Sequence, residues 1–418
     1  MKNRTELLAP AGCFPSLISA IHAKADAVYF GVAQLNMRAR ARRSFQLDDI
    51  AEIMETCHRN NIKGYLTLNT LLYDYDINAS KNIFEEAKKH KVDAVIVSDM
   101  SAVQNANEMG LEVHLSTQLS ISNYESVRFY ANFCDRIVLA RELNLNMIKK
   151  IHQQIVENNL TGRSGRLMEL EVFAHGALCI AVSGRCGMSL YTSNASANRG
   201  ACEQNCRKEY VVTDKETGQQ LEIDNNFVMS PNDISTIDFL DEVIDSGVAC
   251  LKIEGRGRSP EYVNTVIQSY RAAMDALNEG TYKKELVDGL QKKLEKVYNR
   301  GSSSGYYLGR KQGWSKSYGS QATRQKIEIG KVTNYFAKIG VVEITGTSGE
   351  LNVGDEYNII GNNTGVIDGI VEELRVDNKI VDNVKGKTLF SMKVNTTVRR
   401  GDRLFFMRPV ASTTNSQS

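Results

Sequence analysis

The sequence predicts an α/β protein built on a (β/α)8 TIM-type barrel, with a Cys-rich insertion after strand seven and a small C-terminal all-β barrel. Three observations carry this. Eight short β-branched runs recur between residue 6 and about 255, amphipathic stretches separate them, and the ends of the runs are polar or glycine-rich. An open doubly wound sheet is the competing fold. It is disfavoured because the first turn lacks the G-x-G-x-x-G fingerprint of a dinucleotide site.

The runs are "LLAP" (7–10), "AVYFG" (27–31), "GYLTLN" (64–69), "AVIVSD" (94–99), "EVHLST" (112–117), "RIVLAR" (136–141), "ELEVFAH" (169–175) and "CLKIEG" (250–255). Between them, stretches such as 47–60 put Ile50, Ile53, Met54 and Cys57 on one helical face. The strand ends carry Pro10 to Gly12, Gly31, Asn69, Asp99, Gln118, Arg141, His175 and Glu254. In a barrel these ends converge on one mouth, where active sites form.

Almost sixty residues separate strand seven from the next helix, expected to start near Asp233. They include a hairpin of "EYVVTD" and "QQLEID" around Thr217 and Gly218. An insertion at this position lies over the mouth. Beyond the barrel, Ser259 and Pro260 form an N-cap and first turn for a helix to about Asn278, and a second helix follows over 283–297. The glycine- and serine-rich stretch that follows marks a domain boundary. From Ile327 to Met407, alternating strands with turn signals at "TSGE", "GNNTG" and "VDNK" predict a small β-barrel. The expected organisation is a barrel over 1–300 with a metal-binding insertion at about 176–226, a linker over 301–326, a β-barrel over 327–410 and a disordered tail over 411–418.

The insertion holds four of the eight cysteines, Cys179, Cys186, Cys202 and Cys206, spaced C-x6-C-x15-C-x3-C with glycines interleaved. Thiolates this close repel unless a cation sits between them, and glycine lets separate segments aim sulfur at one point. Four thiolates suit a 4Fe-4S cluster or a structural zinc. Only the last pair is short, whereas zinc sites usually carry two short knuckles, so the spacing favours the cluster, with zinc and unliganded or bridged thiols as alternatives. Cys13, Cys57, Cys134 and Cys250 are scattered among apolar residues and read as small buried hydrophobes.

"MKNRTELLAPAG" has no apolar signal core, and no run approaches the length of a membrane span. A cytoplasmic location, away from membranes, is expected, and thiols there bind metal more often than they form bridges. Net charge is only +2, so nucleic-acid binding must rest on local patches. "NMRARARR" gathers Arg38, Arg40, Arg42 and Arg43 just after strand two, where they could grip phosphates. Arg310, Lys311, Trp314 and Lys316 form a second patch, whose indole could stack on an unpaired base.

"EVFAHGALCIAVSGRCGMS" (Glu171 to Ser189) resembles the signature of the collagenase-like peptidase family U32. "NRGACEQNCR", "MSPNDIS", "LKIEGRGRSPEYV", "ELLAPAG" and "YFG" resemble its other blocks, so the likeness runs along nearly the whole chain. The family name implies proteolysis, yet H-E-x-x-H and G-x-S-x-G are both missing and the six histidines show no zinc-protease spacing. The strongest likeness is to the tRNA-hydroxylating members. That resemblance implies a 4Fe-4S cluster on Cys179, Cys186, Cys202 and Cys206, tRNA as partner, and prephenate as hydroxyl donor. The reaction so implied is hydroxylation of wobble uridine to 5-hydroxyuridine, without molecular oxygen. A peptidase, a 23S rRNA hydroxylase and a non-catalytic partner of a paralogous family subunit are the alternatives.

Prephenate carries two carboxylates, which call for bidentate arginines, and the candidates at the mouth are Arg141, Arg185, Arg199 and Arg256. His175, four residues before the first cluster cysteine, is a candidate for proton transfer or for bracing the cysteine loop. Lys252 and Glu254 lie two apart on strand eight and face one side, as a buried ion pair or a catalytic acid/base pair.

Overall fold

A computed structural model describes residues 5–32, 34–39, 44–221, 229–315 and 319–410. The eight expected strands form, as β1 (Glu6–Pro10), β2 (Ala27–Phe30), β3 (Lys63–Leu68), β4 (Ala94–Val97), β5 (Val113–Leu115), β6 (Arg136–Val138), β7 (Glu169–Gly176) and β8 (Cys250–Ile253). They pair in sequence and in parallel. Because β8 pairs with both β1 and β7, the sheet closes on itself.

The period-two pleat sorts side chains between two cores. Leu7, Val28 and Val95 point outward and join Leu17, Ile53, Phe84 and Ile151 of the surrounding helices. Leu8, Tyr29, Tyr65 and Ile96 point inward and fill the barrel. The helix expected over 47–60 spans Asp49–Arg59 and buries Ile50, Ile53, Met54 and Cys57, as its periodicity requires.

Part of the barrel interior is charged. Arg136 lies 2.6 Å from Glu6, 2.6 Å from Glu169 and 3.6 Å from Glu171, and Glu171 accepts a bond of 2.7 Å from Lys252 Nζ. Burial would raise the carboxyl of Glu171, but Lys252 and then Arg136 lower it, so it stays ionised.

One element departs from expectation. Asp233 starts a short strand, Asp233–Ser235, and the helix begins only at Leu240. That strand runs antiparallel to the end of β7, pairing Ile234 with Gly176, and parallel to Ser302–Ser303. Tyr307 is buried and donates to Phe173 O at 2.7 Å, so this part of the expected linker packs on the barrel. Helix Pro260–Glu279 follows, with Pro260 in its first turn, and Lys284–Leu294 comes next.

The C-terminal region is an antiparallel β structure around its own core of Ile329, Val342, Ile344, Ile359 and Leu404. It docks on helices Phe14–His22 and Pro260–Glu279. Gly365, at φ +68°, allows the approach: a Cβ there would lie 3.0 Å from Ile18 Cγ2. Ion pairs Lys326–Glu261 (2.8 Å) and Lys296–Glu356 (3.0 Å) flank the seam. Among the described residues, no helix is long and apolar enough to cross a membrane.

Candidate active site

At the C-terminal ends of the strands lies a cavity of about 430 Å³. Its floor carries Tyr29, Lys252 and Glu254 from the barrel, and its roof is the cysteine segment. The roof is pinned around the rim. Ser183 N donates to Glu142 beyond β6 (2.8 Å), Arg185 Nε to Gln118 O beyond β5 (2.9 Å), and Arg199 to Leu71 O (3.0 Å) and Asp76 (2.7 Å) beyond β3. Arg207 clasps both ends of the roof, donating to Leu178 O (2.6 Å) and Pro231 O (2.7 Å).

Two glycines make the roof fit. At Gly200 (φ +82°) a Cβ would fall 2.3 Å from Asn36 O, and at Gly176 (φ +105°) 2.5 Å from Glu254 O. Both contacts are to backbone, which cannot swing aside, so the roof lies against the loop after β2 and β7 bends into the roof.

Cys179, Cys186, Cys202 and Cys206 all line this cavity, and all are free thiols. Burial raises the Cys206 thiol, with Arg207 opposing and Cys179, Cys202 and Cys186 adding to the rise, so the other three sulfurs lie within electrostatic reach of Cys206. As placed, they ring the wall without converging: among the described residues, no three His, Cys, Asp or Glu side chains gather closely enough to ligate one ion. The donor set is entirely sulfur, which is the ligand chemistry of an iron-sulfur cluster or of a four-cysteine zinc.

Glu254 is paired with Arg38, and Tyr29 Oη lies 3.4 Å from its other oxygen. Burial pushes this carboxyl up, but Arg38, then Arg141 and Arg256, hold it at about 2, so it is an anion at neutral pH. Lys252 does not pair with Glu254. Its partner is Glu171 on β7, and its ammonium lies 4.5 Å from the centre of the Tyr29 ring. Both side chains line the cavity, as their same-face spacing requires, but each is taken by a different partner.

Among the arginines expected to bind carboxylate, Arg141 and Arg256 line the cavity, whereas Arg185 and Arg199 do not. Those two are spent on the rim bonds above, and Arg199 also stacks 3.9 Å from the centre of the Tyr73 ring. Arg256 is buried and donates to Thr67 (2.6 Å) and Asn36 (3.1 Å), burial pushing it down to about 10. Arg141 donates to Ala177 O (2.8 Å) and stacks on Phe173 at 3.8 Å. Sequence reasoning missed Arg258 and Arg300 as cavity residues and placed Arg38 on an outer phosphate patch. The "GRGRSP" run after β8 was the available signal for Arg258.

His175 is not part of the cavity lining. Its ring packs on Tyr270 (5.5 Å between centroids) and Tyr262 (6.1 Å), with Nδ1 3.4 Å from Tyr270 Oη. Burial, with Arg258 nearby, pushes it down to about 3, so its imidazole is neutral at pH 7. Trp314 is partly exposed and bridges Pro231, beside the return of the roof. Arg40, Arg42, Arg43, Lys316 and the expected tail over 411–418 lie outside the described residues.

Comparison with known proteins fits this architecture. Residues 12–316 match Peptidase family U32. A "Collagenase" of Porphyromonas gingivalis is 48% identical over 96% of this chain and 98% of its own. The "tRNA hydroxylation protein P1" of Bacillus subtilis is 33% identical over 80% of this chain and 78% of its own. The "23S rRNA 5-hydroxycytidine C2501 synthase" of Escherichia coli is 36% identical over 66% of this chain and 40% of its own. With a roofed barrel mouth, four thiols on its wall and this match, the chain belongs to peptidase family U32.

Proposed function

We propose that this protein is an iron-sulfur-dependent RNA hydroxylase that converts wobble uridine of tRNA to 5-hydroxyuridine with prephenate as hydroxyl donor. The observation that carries the reading is that four free thiols line the same cavity as Glu254 and a set of arginines. Cys179, Cys186, Cys202 and Cys206 would hold a 4Fe-4S cluster, which supplies electron transfer or a Lewis-acidic iron when bound. The chain's own groups do the rest. Glu254, an anion fixed by Arg38, is placed to accept a proton or orient a polar edge, and Tyr29 beside it can relay a hydrogen bond. The arginines of the cavity suit a carboxylate donor. The RNA-hydroxylating relatives support this chemistry class.

The collagenase names of other relatives favour a peptidase as the second reading. Against it, among the described residues no histidine lines the cavity to activate a serine, cysteine or water there. The deciding experiment is nucleoside analysis of tRNA and 23S rRNA from a deletion strain lacking any paralogue, with and without a plasmid copy. Loss and recovery of 5-hydroxyuridine in tRNA is expected. Unchanged tRNA with loss of a hydroxylated 23S rRNA base would move the target, and unchanged RNA with gelatin cleavage by the purified protein would establish the peptidase.

A further inference from the structure

Among the described residues, six arginines line the cavity, and four of them are already committed. Arg38 holds Glu254, Arg141 and Arg207 hold backbone carbonyls, and Arg256 holds Asn36 and Thr67. Arg258 and Arg300 differ. Among the described residues, neither guanidinium donates a hydrogen bond. Arg300 is buried, with 9% of its side chain exposed, and its ionic contact with Asp233 is 3.6 Å long, outside hydrogen-bond range. None of its nitrogens is among the buried polar atoms that lack a partner, so its unfilled N–H groups face accessible space, where an anionic acceptor can reach them.

The two groups are arranged as a pair. Arg258 Cζ lies 3.6 Å and Arg300 Cζ 5.1 Å from the centre of the Tyr298 ring, which holds both guanidinia while leaving N–H edges open. The acid beside them, Asp233, is pushed upward by burial against the pull of Arg258, Arg300 and Arg207. Three arginines, Arg207, Arg258 and Arg300, thus lie around this one acid, so positive charge is in excess here.

We propose that Arg258 and Arg300 form a carboxylate-binding subsite of the cavity, taking a small organic dicarboxylate by one guanidinium on each carboxylate. Two forked donors on one ring match two planar anions, and the roofed position admits a small molecule more readily than a phosphate within an RNA chain. The subsite deepens the hydroxylase reading, on which the identity of the donor rests.

The test is anaerobic calorimetric titration of prephenate, and separately of malonate, into the full-length, iron-loaded chain and its Arg258→Gln, Arg300→Gln and corresponding Lys variants. Iron content and tRNA affinity are measured on each. The expected result is a loss of about 10- to 100-fold in dicarboxylate affinity in each Gln variant, a smaller loss in the Lys variants, and unchanged iron and tRNA binding. Four results overturn the proposal. They are wild-type affinity in the Gln variants, no binding of either acid to the wild type, loss of tRNA affinity instead, and loss of iron in Gln and Lys variants alike with dicarboxylate binding intact. Dicarboxylate binding that depends on both arginines, in a protein whose deletion leaves tRNA unchanged, would retain the subsite and remove the hydroxylase reading.

Discussion

Lys252 on β8 donates to Glu171 on β7 at 2.7 Å, and both side chains are buried inside the barrel. Arg136 on β6 approaches the same carboxylate at 3.6 Å. A buried pair of this kind adds little net stability over an apolar pair, yet removing one partner leaves a charge stranded.

Lys252→Met should therefore destabilise the barrel by about 3–5 kcal/mol, and Lys252→Met with Glu171→Leu should recover part of the loss. Chemical denaturation with a common slope measures both. A single variant as stable as the wild type would mean that Glu171 is neutral, held by Arg136 alone, or reached by water.

Cys202→Ala or Cys206→Ala should abolish RNA hydroxylation and remove the absorbance near 400 nm expected of an iron-sulfur cluster, while far-UV circular dichroism keeps the barrel signal. Full iron content in either variant would show that the ligand set lies elsewhere.

The buried state of His175 sets a pH dependence. Its folded value of about 3 lies below the 6.5 of an unperturbed imidazole, so the unfolded chain takes up the proton first. The stabilisation is complete above pH 6.5 and is lost as pH falls through about 3. His175→Gln should flatten that part of the acid-unfolding curve and leave the pH profile of hydroxylation above 6.5 unchanged. A shift in the kinetic profile with an unchanged unfolding curve would give His175 a direct role in catalysis.

Glu254 behaves as a fixed anion, held at about 2 by Arg38, Arg141 and Arg256 against burial. Its contribution to stability is present above pH 4.5 and disappears as pH falls through about 2. Glu254→Gln should lower kcat by about 100-fold or more if the carboxylate handles a proton, with iron content retained. A change in KM alone would reduce it to a positioning residue.

Replacing Arg40 and Arg42 by Ala should weaken tRNA binding and lower the salt slope by about 2, since each lost phosphate contact removes one released counterion. Filter binding across a salt series measures it, and an unchanged slope would leave the patch as a solvated face.

The barrel was legible because parallel strands buried on both faces read as apolar runs, and because Ile50, Ile53, Met54 and Cys57 keep a helical period. The cysteines were legible by spacing. Partner choice was not. Lys252 and Glu254 have the sequence separation of a same-face pair and both line the cavity, but Lys252 takes Glu171 as its partner and Glu254 takes Arg38, which lies 216 positions away along the chain. Arg199 likewise meets Asp76 across 123 positions, a contact no local pattern encodes. Strand Asp233–Ser235 is short, and its pairing with β7 arises only when the roof returns to its starting point.

That return has a further consequence. The roof leaves the barrel just after Gly176, and its far end is stitched back by Ile234 onto the same residue, so the whole segment is a loop closed at its base. Its rim bonds to Gln118, Glu142, Leu71 and Asp76 can break without costing the barrel one strand pairing. The roof is thus a separate unit of opening, with a free energy well below that of global unfolding, and hydrogen exchange should register it as a fast-exchanging block on a slow-exchanging cylinder.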